Sequence, residues 1–384
     1  SPLLLCPPLF PPNLQMLSSH LLLLSSLRSS PPPFTSPASA TSAFSPPRVR
    51  STGETATVPV IDVSPLLLPR RDAADNARYT LAAQQLVNAS LAGSAGFFTI
   101  TRHAVDQSAS EAAAAAFFAL PHEAKMELAP ALYNANSTHR FRGYAPPTAN
   151  GKELLDGTNP AFRARPPHAD AAQAFLEEAG RCVPQMPRLC EVMDEYWRQM
   201  QALGMALLAA IAHGLGEVQT DFFDKAFRVG EPMSCLRFNR YPLFTEEELS
   251  RSTSNSHAEG LACEAHRDMS ILTILNQGQE GGLQIFQDGR WKDVPLTPGA
   301  FVINIGGGLQ RWTNDVLMAT EHRVRMVDAE RISIPFFLEA SYHSPMTCMP
   351  ATVSESRPCK YAPTTYGPYI QSTFKLFQEY ADRA

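Results

Sequence analysis

Residues 264–268 read Glu264-Ala265-His266-Arg267-Asp268, and the same region of the chain continues to His322 and to Arg331-Ile332-Ser333. Alternate residues of a strand point to one face of a sheet, so His266 and Asp268 can reach one metal ion from a single strand end. His322 follows after 322 − 268 = 54 residues, which is enough chain to return through two hairpins. Two imidazoles and one carboxylate suit an iron(II) site with open coordination positions. The pattern therefore predicts a metal centre built on strands.

A second pair of polar residues follows the predicted metal ligands. Arg331 and Ser333 are again two residues apart, so they share a strand face. A guanidinium can pair bidentately with a carboxylate, and a hydroxyl adds a further donor. Asn239 and Tyr241 form a third pair at the same spacing, upstream of the others. These pairs predict a site for the anionic tail of a co-substrate.

Each pair alone is a weak signal, because His-x-Asp occurs by chance and a lone histidine is usually structural. The order in which the pairs occur favours a metal site. Zinc uses the same ligand types, but a closed structural zinc site normally has four protein ligands. A competing pair, His257 and Glu259, belongs to a polar stretch that we interpret as a surface loop. His343 is a further candidate ligand, to which we prefer His322.

Short apolar runs of strand length fill the second half of the chain. They cover residues 234–240, 270–275, 283–286, 291–294, 300–305, 320–326 and 332–338. Asp288-Gly289 is a good hairpin turn, and Gly306-Gly307-Gly308 lacks the Lys-Ser/Thr of a phosphate loop, so it is interpreted as a turn. Many short strands separated by turn signals predict a sandwich or barrel.

The first half of the chain predicts two strands and several helices. The strands cover 58–63 and 96–100, and the helices cover 73–91, 106–119, a segment starting near 121, and 187–215. A last helix is predicted at about 369–381. We therefore expect a mainly β fold with flanking helices, divided into an N-terminal region at 56–165, bracing helices and catalytic core at 166–345, and a C-terminal loop and helix at 346–384.

The composition excludes some classes of protein. The formal net charge is −5 over 384 residues, which gives no electrostatic footprint for nucleic acid. No apolar run reaches the ~18 residues of a membrane span. The seven cysteines include no Cys-x-x-Cys, so we expect free thiols in a reducing compartment and neither a disulfide framework nor a zinc ribbon.

Residues 1–55 differ from the rest of the chain. They are rich in Ser, Pro, Leu and Ala, and they hold Arg28, Arg48 and Arg50 but no acidic residue before Glu54. This composition predicts a transit peptide to a plastid or mitochondrion. If residues 1–55 carry no targeting signal, the protein is expected in the cytoplasm. A second alternative is that the Leu-rich run 21–24 is the short apolar core of a secretory signal.

Several motifs together resemble the isopenicillin N synthase-like group of 2-oxoglutarate/iron(II) dioxygenases. The residues that carry this resemblance are 264–268, Gly281-Gly282-Leu283-Gln284-Ile285, 298–306, Arg311-Trp312-Thr313-Asn314, His322-Arg323-Val324 and 331–337, with Pro59-Val60-Ile61-Asp62, Gly96-Phe97-Phe98 and Arg142-Gly143-Tyr144 in the N-terminal half. The likeness spans about residue 56 to the end.

The resemblance implies a double-stranded β-helix, or jelly-roll, core and a set of site residues. Those residues are His266, Asp268 and His322 on Fe(II), Arg331 and Ser333 on the distal carboxylate of 2-oxoglutarate, Tyr241 and Asn239 orienting that co-substrate, and Tyr144, Arg142 and Phe337 lining the substrate pocket. It further implies that the protein uses O2, with ascorbate as a candidate reductant, to hydroxylate, desaturate or cyclise a small molecule while releasing succinate and CO2.

Two departures from the family pattern and two rival functions follow from this resemblance. Arg267 stands where a small or uncharged residue is usual, and we expect it to point away from the metal. The family often has Asp after Asn-Ile-Gly, whereas Gly307 follows here, which predicts a looser turn. The rivals are a same-fold oxidase that does not use 2-oxoglutarate and an inactive jelly-roll binding protein. The sequence is silent on oligomeric state.

Overall fold

Two β-sheets and a group of helices make up the computed structural model. It describes residues 53–147, 151–164, 170–178, 180, 185–218, 221–243 and 260–373. The predicted targeting segment, apart from its last three residues, lies outside the described residues, as do His257 and Glu259.

The twelve strands of the described residues divide between a large and a small sheet. They are β1 (Val60–Asp62), β2 (Phe97–Thr101), β3 (Tyr144–Ala145), β4 (Glu153–Gly157), β5 (Cys235–Tyr241), β6 (Leu261–His266), β7 (Leu272–Asn276), β8 (Leu283–Gln287), β9 (Arg290–Asp293), β10 (Phe301–Ile305), β11 (His322–Arg325) and β12 (Arg331–Leu338). The large sheet has the order β1-β2-β10-β7-β12-β5-β4-β3, and the small sheet has the order β6-β11-β8-β9. Apart from the parallel pair β1 and β2, neighbouring strands are antiparallel.

Nine α-helices of the described part of the chain connect and flank these sheets. They are α1 (Ser64–Leu67), α2 (Ala73–Ser90), α3 (Ser108–Phe118), α4 (His122–Met126), α5 (Ala171–Leu176), α6 (Leu189–Gly214), α7 (Phe222–Phe227), α8 (Gly307–Trp312) and α9 (Tyr366–Thr373). Asp72 caps α2 by accepting a hydrogen bond from the amide of Asp75. The long helix α6 buries one apolar side, as the spacing of its Leu, Met and aromatic residues predicts.

The alternation of side chains along the large sheet creates two apolar cores. Ile303 and Phe336 point to the helical side and belong to a cluster that includes the buried face of α6. Phe97 and Val302 point the other way and pack with Ile285 of the small sheet. The two sheets therefore face each other, and the prediction of a mainly β fold with flanking helices is confirmed.

Some local predictions were incomplete or wrong. No apolar run predicted β6 or the short strands β3 and β4. The spacing of His266 and Asp268 did predict a strand end there, but β6 ends at His266, so Asp268 is not on the strand. Gly307 and Gly308 were interpreted as part of a turn, but they open the short helix α8. The last helix begins at Tyr366, earlier than predicted, and residues after Thr373 lie outside the described part. The predicted division at residues 165 and 345 stays a prediction.

The expectation of free thiols was wrong for part of the chain. Cys348 and Cys359 form a disulfide with a Cα–Cα distance of 5.9 Å, and Cys190 is also disulfide-bonded. Cys235 and Cys263, which also belong to the described residues, are thiols and not disulfide partners. The sequence contains no clustered cysteines that would indicate this disulfide, because its two cysteines are 11 residues apart. Among the described residues, we find no helix with the length and apolarity needed to cross a bilayer.

Candidate metal centre

Three predicted ligands converge at one end of the small sheet. His266 is the last residue of β6, His322 is the first residue of β11, and the two are direct partners in the strand register. Asp268 follows β6 by two residues, and its Oδ1 lies 3.6 Å from His266 Nε2 and 3.7 Å from His322 Nε2. One donor atom from each residue lies within 4.8 Å of the others, so a single ion can contact all three.

Hydrogen bonds fix which nitrogen of each imidazole faces the common point. His266 Nδ1 lies 2.8 Å from the carbonyl oxygen of Glu264, and His322 Nδ1 lies 3.1 Å from that of Thr320. A carbonyl oxygen can only accept, so Nδ1 carries the proton in both rings. Each Nε2 is then the nitrogen that faces Asp268, which is the arrangement that a metal-binding histidine requires.

Two polar side chains orient the carboxylate of Asp268. Thr273 Oγ1 donates to Asp268 Oδ2 at 2.5 Å, and Asn304 Nδ2 donates to the same oxygen at 2.9 Å. Thr273 and Asn304 are register partners on the neighbouring strands β7 and β10 of the large sheet. Because these donors hold Oδ2, the other oxygen is turned toward the two imidazoles. The large sheet thus positions a ligand of the small sheet.

The electrostatics of two of the three ligands, Asp268 and His322, favour forms that can bind a metal. Burial raises the pKa of Asp268, but the nearby His322 and His266 outweigh it, so the pKa of this carboxyl is lowered overall. Burial, together with the charge of His266, lowers the pKa of His322 to about 4. Asp268 is therefore ionised and His322 neutral at neutral pH. Burial lowers the pKa of His266, but Cys263 and Asp268 outweigh it, so the pKa of this imidazole is raised overall and it holds a proton that a metal ion bound at Nε2 would displace. With that proton displaced, one carboxylate and two imidazoles are a suitable donor set for iron(II).

The residue between the two sequence-adjacent ligands points away from the site. The side chain of Arg267 is 58% exposed, and its Nη2 lies 3.6 Å from a carboxylate oxygen of Glu321. The expected orientation of Arg267 is confirmed.

The glycines after β10 fasten the backbone around Asp268. The amide of Gly307 donates to the carbonyl oxygen of Asp268 at 2.8 Å, and the amide of Gly308 donates to that of Ser270 at 3.0 Å. A Cβ atom at Gly306 would lie 2.0 Å from the carbonyl oxygen of Ser270, so only glycine permits this approach. Gly307 and Gly308, which were expected to loosen the turn, instead connect the start of α8 to the loop that contains Asp268.

The two remaining motif pairs lie side by side on the large sheet. Arg331 of β12 is the register partner of Tyr241 on β5, and Ser333 is the partner of Asn239. Arg331 Nη1 lies 3.2 Å from Ser333 Oγ, and the Arg331 guanidinium carbon lies 5.0 Å from the Tyr241 ring centroid. The four residues therefore form one polar patch, as their spacing predicted.

Arg331 is a buried cation that lacks an acidic partner among the described residues. It is only 2% exposed, and its Nε has no hydrogen-bond partner there. Burial lowers the pKa of its guanidinium, although the adjacent Tyr241 acts in the opposite direction. An isolated buried charge is costly unless an opposite charge pairs with it. The patch is thus suited to receive a carboxylate.

The three residues that the resemblance placed near a substrate lie on different faces. Phe337 is the register partner of Thr273, so it lies on the face of the large sheet that carries the ligand support. Arg142 is buried, with its Nη1 3.7 Å from Asp156 Oδ2. Tyr144 lies on the opposite, helical face and donates to Glu153 Oε2 at 2.5 Å. Contact of these residues with a substrate stays a prediction, which the position of Tyr144 does not favour.

Two other polar features of the described chain do not join the centre. A cavity of about 70 Å³ lies near the ends of β7 and β10 and is lined in part by Gln277, Asn276 and Glu111. None of the three ligands lines it, and Asn276 Nδ2 donates to Glu111 Oε1 at 2.7 Å. His343 Nε2 lies 3.1 Å from Gln173 Oε1, away from the triad.

Sequence reasoning missed Thr273 and Asn304, the two residues that hold Asp268. Each occupies a polar position in an otherwise apolar strand, with Leu272 and Ile274 beside one, and Ile303 and Ile305 beside the other. A buried polar residue in such a run is a usable signal, because it must find a hydrogen-bond partner. The partner itself could not be read from the sequence, since the register of β7 and β10 is a tertiary feature.

Both halves of the chain match known protein families. The family model of the 2OG-Fe(II) oxygenase superfamily matches residues 232–340. A second family model, described as the N-terminal region of non-haem dioxygenase in morphine synthesis, matches residues 58–172.

Individual relatives agree with these matches. Isopenicillin N synthase of Streptomyces clavuligerus is 31% identical over 319 residues, covering 82% of this chain and 93% of the relative. A crystal structure of a 2OG-Fe(II) oxygenase family protein from Caulobacter crescentus is 26% identical with a TM-score of 0.66, covering 84% of this chain and all of the other. The Arabidopsis thaliana dioxygenase for auxin oxidation 1, solved with 2-oxoglutarate, is 25% identical with a TM-score of 0.56, covering 79% of this chain and all of the other.

Proposed function

We propose that this chain, which belongs to the 2OG-Fe(II) oxygenase superfamily and has its jelly-roll fold, is an Fe(II)-dependent enzyme. It would use 2-oxoglutarate and O2 to oxidise a small molecule. The observation that carries the choice of co-substrate is that Arg331 is buried and that no Asp or Glu of the described residues acts on its guanidinium. A dicarboxylate such as 2-oxoglutarate supplies the missing negative charge while its other end reaches the metal.

The roles of the ligands follow from their hydrogen bonds. His266 and His322 would bind iron through Nε2, and Asp268 would bind through Oδ1, since Thr273 and Asn304 hold the other carboxylate oxygen. Three protein donors leave positions for a chelating keto acid and for O2. When bound, iron and 2-oxoglutarate supply the oxidising chemistry, in which the keto acid loses CO2 and becomes succinate.

The polar patch would hold the distal carboxylate of 2-oxoglutarate. The guanidinium of Arg331 can donate two parallel hydrogen bonds to a carboxylate, and the hydroxyl of Ser333 beside it can donate a third. Tyr241 packs against the guanidinium and would keep it in place. Asn239 presents a buried Oδ1 without a hydrogen-bond partner in the described part of the chain. An amide oxygen only accepts, so this atom can accept a hydrogen bond from a water molecule beside the co-substrate but not from its carboxylate.

A stoichiometric assay tests the co-substrate. The full chain, loaded with Fe(II), is supplied with 2-oxoglutarate, O2 and a library of metabolites, and succinate and O2 uptake are measured together. We expect one succinate for each O2 consumed, with a product that has gained one oxygen atom or lost two hydrogen atoms. Oxygen uptake that is independent of 2-oxoglutarate would contradict the proposal.

The second candidate is an oxidase that uses no 2-oxoglutarate. It is favoured by the relatives themselves, since isopenicillin N synthase is about 30% identical to this chain and does not use 2-oxoglutarate. In that case Arg331 would bind a carboxylate of the substrate. Binding of 2-oxoglutarate to the Fe(II)-loaded protein without O2 separates the two candidates before any substrate is known.

The site of action depends on the first 55 residues. We propose import into a plastid or mitochondrion, on the basis of their Ser- and Pro-rich composition and their lack of acidic residues before Glu54. A fluorescent protein fused behind residues 1–55 should accumulate in one of these organelles. Diffuse cytoplasmic fluorescence would contradict this assignment.

A further inference from the structure

The polar cavity near the ends of β7 and β10 lies away from the metal centre. It is located where β7 ends and β10 begins, whereas Thr273 and Asn304, which hold Asp268, lie toward the opposite ends of these two strands. Asn276, which lines the cavity, follows Thr273 by three residues, or about 10 Å at the rise of an extended strand. The proposed metal chemistry therefore does not account for the polar lining of this cavity.

The cavity has a buried floor and an exposed mouth. Thr99, Gln277 and Val302 belong to the floor, and each is at most 4% exposed. Leu296 and Pro298 belong to the mouth, and both are exposed. The volume of about 70 Å³ is enough for roughly five water molecules, at about 10–15 Å³ for each. One small polar group can therefore enter from solvent, while a chain attached to it stays at the mouth.

Gln277 contributes a buried hydrogen-bond acceptor to the floor. Its Nε2 donates to the carbonyl oxygen of Pro295 at 3.4 Å, and because a carbonyl oxygen only accepts, this contact fixes which end of the amide is the NH2 group. The other end, Oε1, is buried and has no hydrogen-bond partner among the described residues. A buried acceptor without a partner is costly and uncommon, so this oxygen indicates a donor from outside the protein.

Glu111 adds a negative charge to the same lining. It is a partly buried residue in the first turn of α3, and its Oε1 accepts a hydrogen bond from Asn276 Nδ2 at 2.7 Å. No Lys, Arg or His of the described part of the chain forms an ion pair with this carboxylate. The amino end of a helix carries about half a positive charge, so α3 balances Glu111 only in part.

The imidazole of His103, which contacts the edge of the cavity, does not supply the missing positive charge. Its Nε2 lies 2.9 Å from the carbonyl oxygen of Gly299, and its Nδ1 accepts a hydrogen bond from the amide of Val105 at 3.2 Å. One nitrogen therefore donates and the other accepts, as in a neutral ring. Burial lowers the pKa of His103, although the bond to Gly299 acts in the opposite direction. Among the described residues, no Lys, Arg or His lines the cavity.

We propose that this cavity binds the primary ammonium group of a small aliphatic amine. An ammonium group has three N–H donors and no acceptor, so it can donate to the Glu111 carboxylate and to Gln277 Oε1 together. The hydroxyl of Thr99 in the floor can accept from the third donor. The carbon chain of the amine would lie at the mouth beside Leu296, which is 41% exposed. This site goes beyond the proposed function and does not depend on it.

The test compares propylammonium with 1-propanol, which has the same carbon chain but no charge. The Kd of each for the natural full chain is measured at neutral pH by ligand-observed NMR. Hydrogen bonds to charged groups are stronger than those between neutral groups, so we expect propylammonium to bind about 10-fold or more tightly than 1-propanol. Equal binding of the two probes, or binding of neither, would overturn the proposal.

Two glutamate variants show whether the charge of the cavity causes this preference. Glu111→Gln keeps the shape and an acceptor for Asn276 but removes the negative charge, so it should remove the preference for propylammonium. Glu123→Gln is the matched control and should keep the preference, since Glu123 is also in the first turn of a helix but does not line the cavity. Full preference in Glu111→Gln, or equal loss in both variants, would contradict the site. If Glu111→Gln does not fold, Gln277→Leu replaces it, and an unchanged Kd for propylammonium would contradict the site.

The outcome is separable from that of the proposed function, because the binding measurement needs neither iron nor 2-oxoglutarate. Preferential binding of propylammonium by a protein that forms no succinate would support the cavity site and contradict the use of 2-oxoglutarate. Succinate formation by a protein that binds propylammonium no more tightly than 1-propanol would support the function and contradict the cavity site.

Discussion

Replacing Thr273 by Val tests how the large sheet controls the metal ligand. The substitution keeps the shape of the side chain and its preference for a strand, but it removes the hydroxyl that donates to Asp268 Oδ2 at 2.5 Å. A hydrogen bond to a charged group contributes about 1.5–3 kcal/mol, and Asn304 still holds the same oxygen at 2.9 Å. Loss of one of two supports should weaken Fe(II) binding by about 10- to 100-fold, which corresponds to about 1.4–2.7 kcal/mol.

The Kd for Fe(II) is measured by calorimetry while the metal-free protein is titrated with Fe(II) under anaerobic conditions. Thr273→Ser is the matched control, since it retains the hydroxyl and should bind Fe(II) within about threefold of the natural protein. Thermal unfolding of the metal-free variants shows whether the fold is kept. If Thr273→Val bound Fe(II) as tightly as Thr273→Ser, the idea that this hydroxyl orients the carboxylate would be refuted.

Three further perturbations have definite expected outcomes. Arg331→Lys keeps the positive charge but loses the planar guanidinium, so the Kd for 2-oxoglutarate measured by anaerobic titration should rise by 10-fold or more. Arg331→Ala should raise this Kd further. An unchanged Kd would show that Arg331 does not bind 2-oxoglutarate. Burial raises the pKa of Glu339 to about 7, against 4.5 for a free side chain, so the stability that its neutral form contributes is present below pH 4.5 and is lost as pH rises through 7. Chemical denaturation should therefore show that the free energy of unfolding of Glu339→Gln, relative to that of the natural protein, rises by up to about 3 kcal/mol between pH 4.5 and pH 8. Parallel pH profiles of the two proteins would refute this. Replacing both Cys348 and Cys359 by Ser should lower the free energy of unfolding by up to about 3 kcal/mol under oxidising conditions, because the disulfide restricts a short loop of the unfolded chain. A loss of the same size in reducing buffer would show that the disulfide is not the cause.

Much of the site could be predicted because strand geometry translates sequence spacing into direction. A spacing of two residues places Arg331 with Ser333, and Asn239 with Tyr241, on common strand faces. His266 and Asp268 also meet as predicted, but Asp268 lies in the loop beyond the end of β6 and not on the strand. The structure adds that the last two pairs are opposite each other in the strand register. That alignment depends on the pairing of β5 with β12, which no local pattern determines.

The missed features depend on contacts between distant parts of the chain. Thr273 and Asn304 meet Asp268 only because two strands of one sheet lie beneath a loop of the other. Glycines 307 and 308 have low intrinsic helix propensity, so a turn was the natural interpretation. They begin α8 because their amides find the carbonyl oxygens of Asp268 and Ser270. Tertiary hydrogen bonding overrides local preference there.

The predicted elements were most accurate where the apolar pattern was long. The helix Leu189–Gly214 and the strand Arg331–Leu338 differ from their predicted bounds by only a residue or two. Strand β6 was predicted only from the spacing of its metal ligand and had no apolar run, because only its first two residues are deeply buried. Its later residues are partly or fully exposed at the edge of the small sheet. A strand with few apolar residues gives no periodic signal, although it carries the first metal ligand.

Metal stoichiometry under anaerobic conditions tests the central claim most directly. The natural chain should bind one Fe(II), and addition of 2-oxoglutarate should then produce the visible charge-transfer absorption of an iron-bound keto acid. Asp268→Ala should lose both signals, while Asp224→Ala, which removes an exposed carboxylate of α7, should keep both. Retention of the iron and of the absorption by Asp268→Ala would contradict a metal centre made by His266, Asp268 and His322.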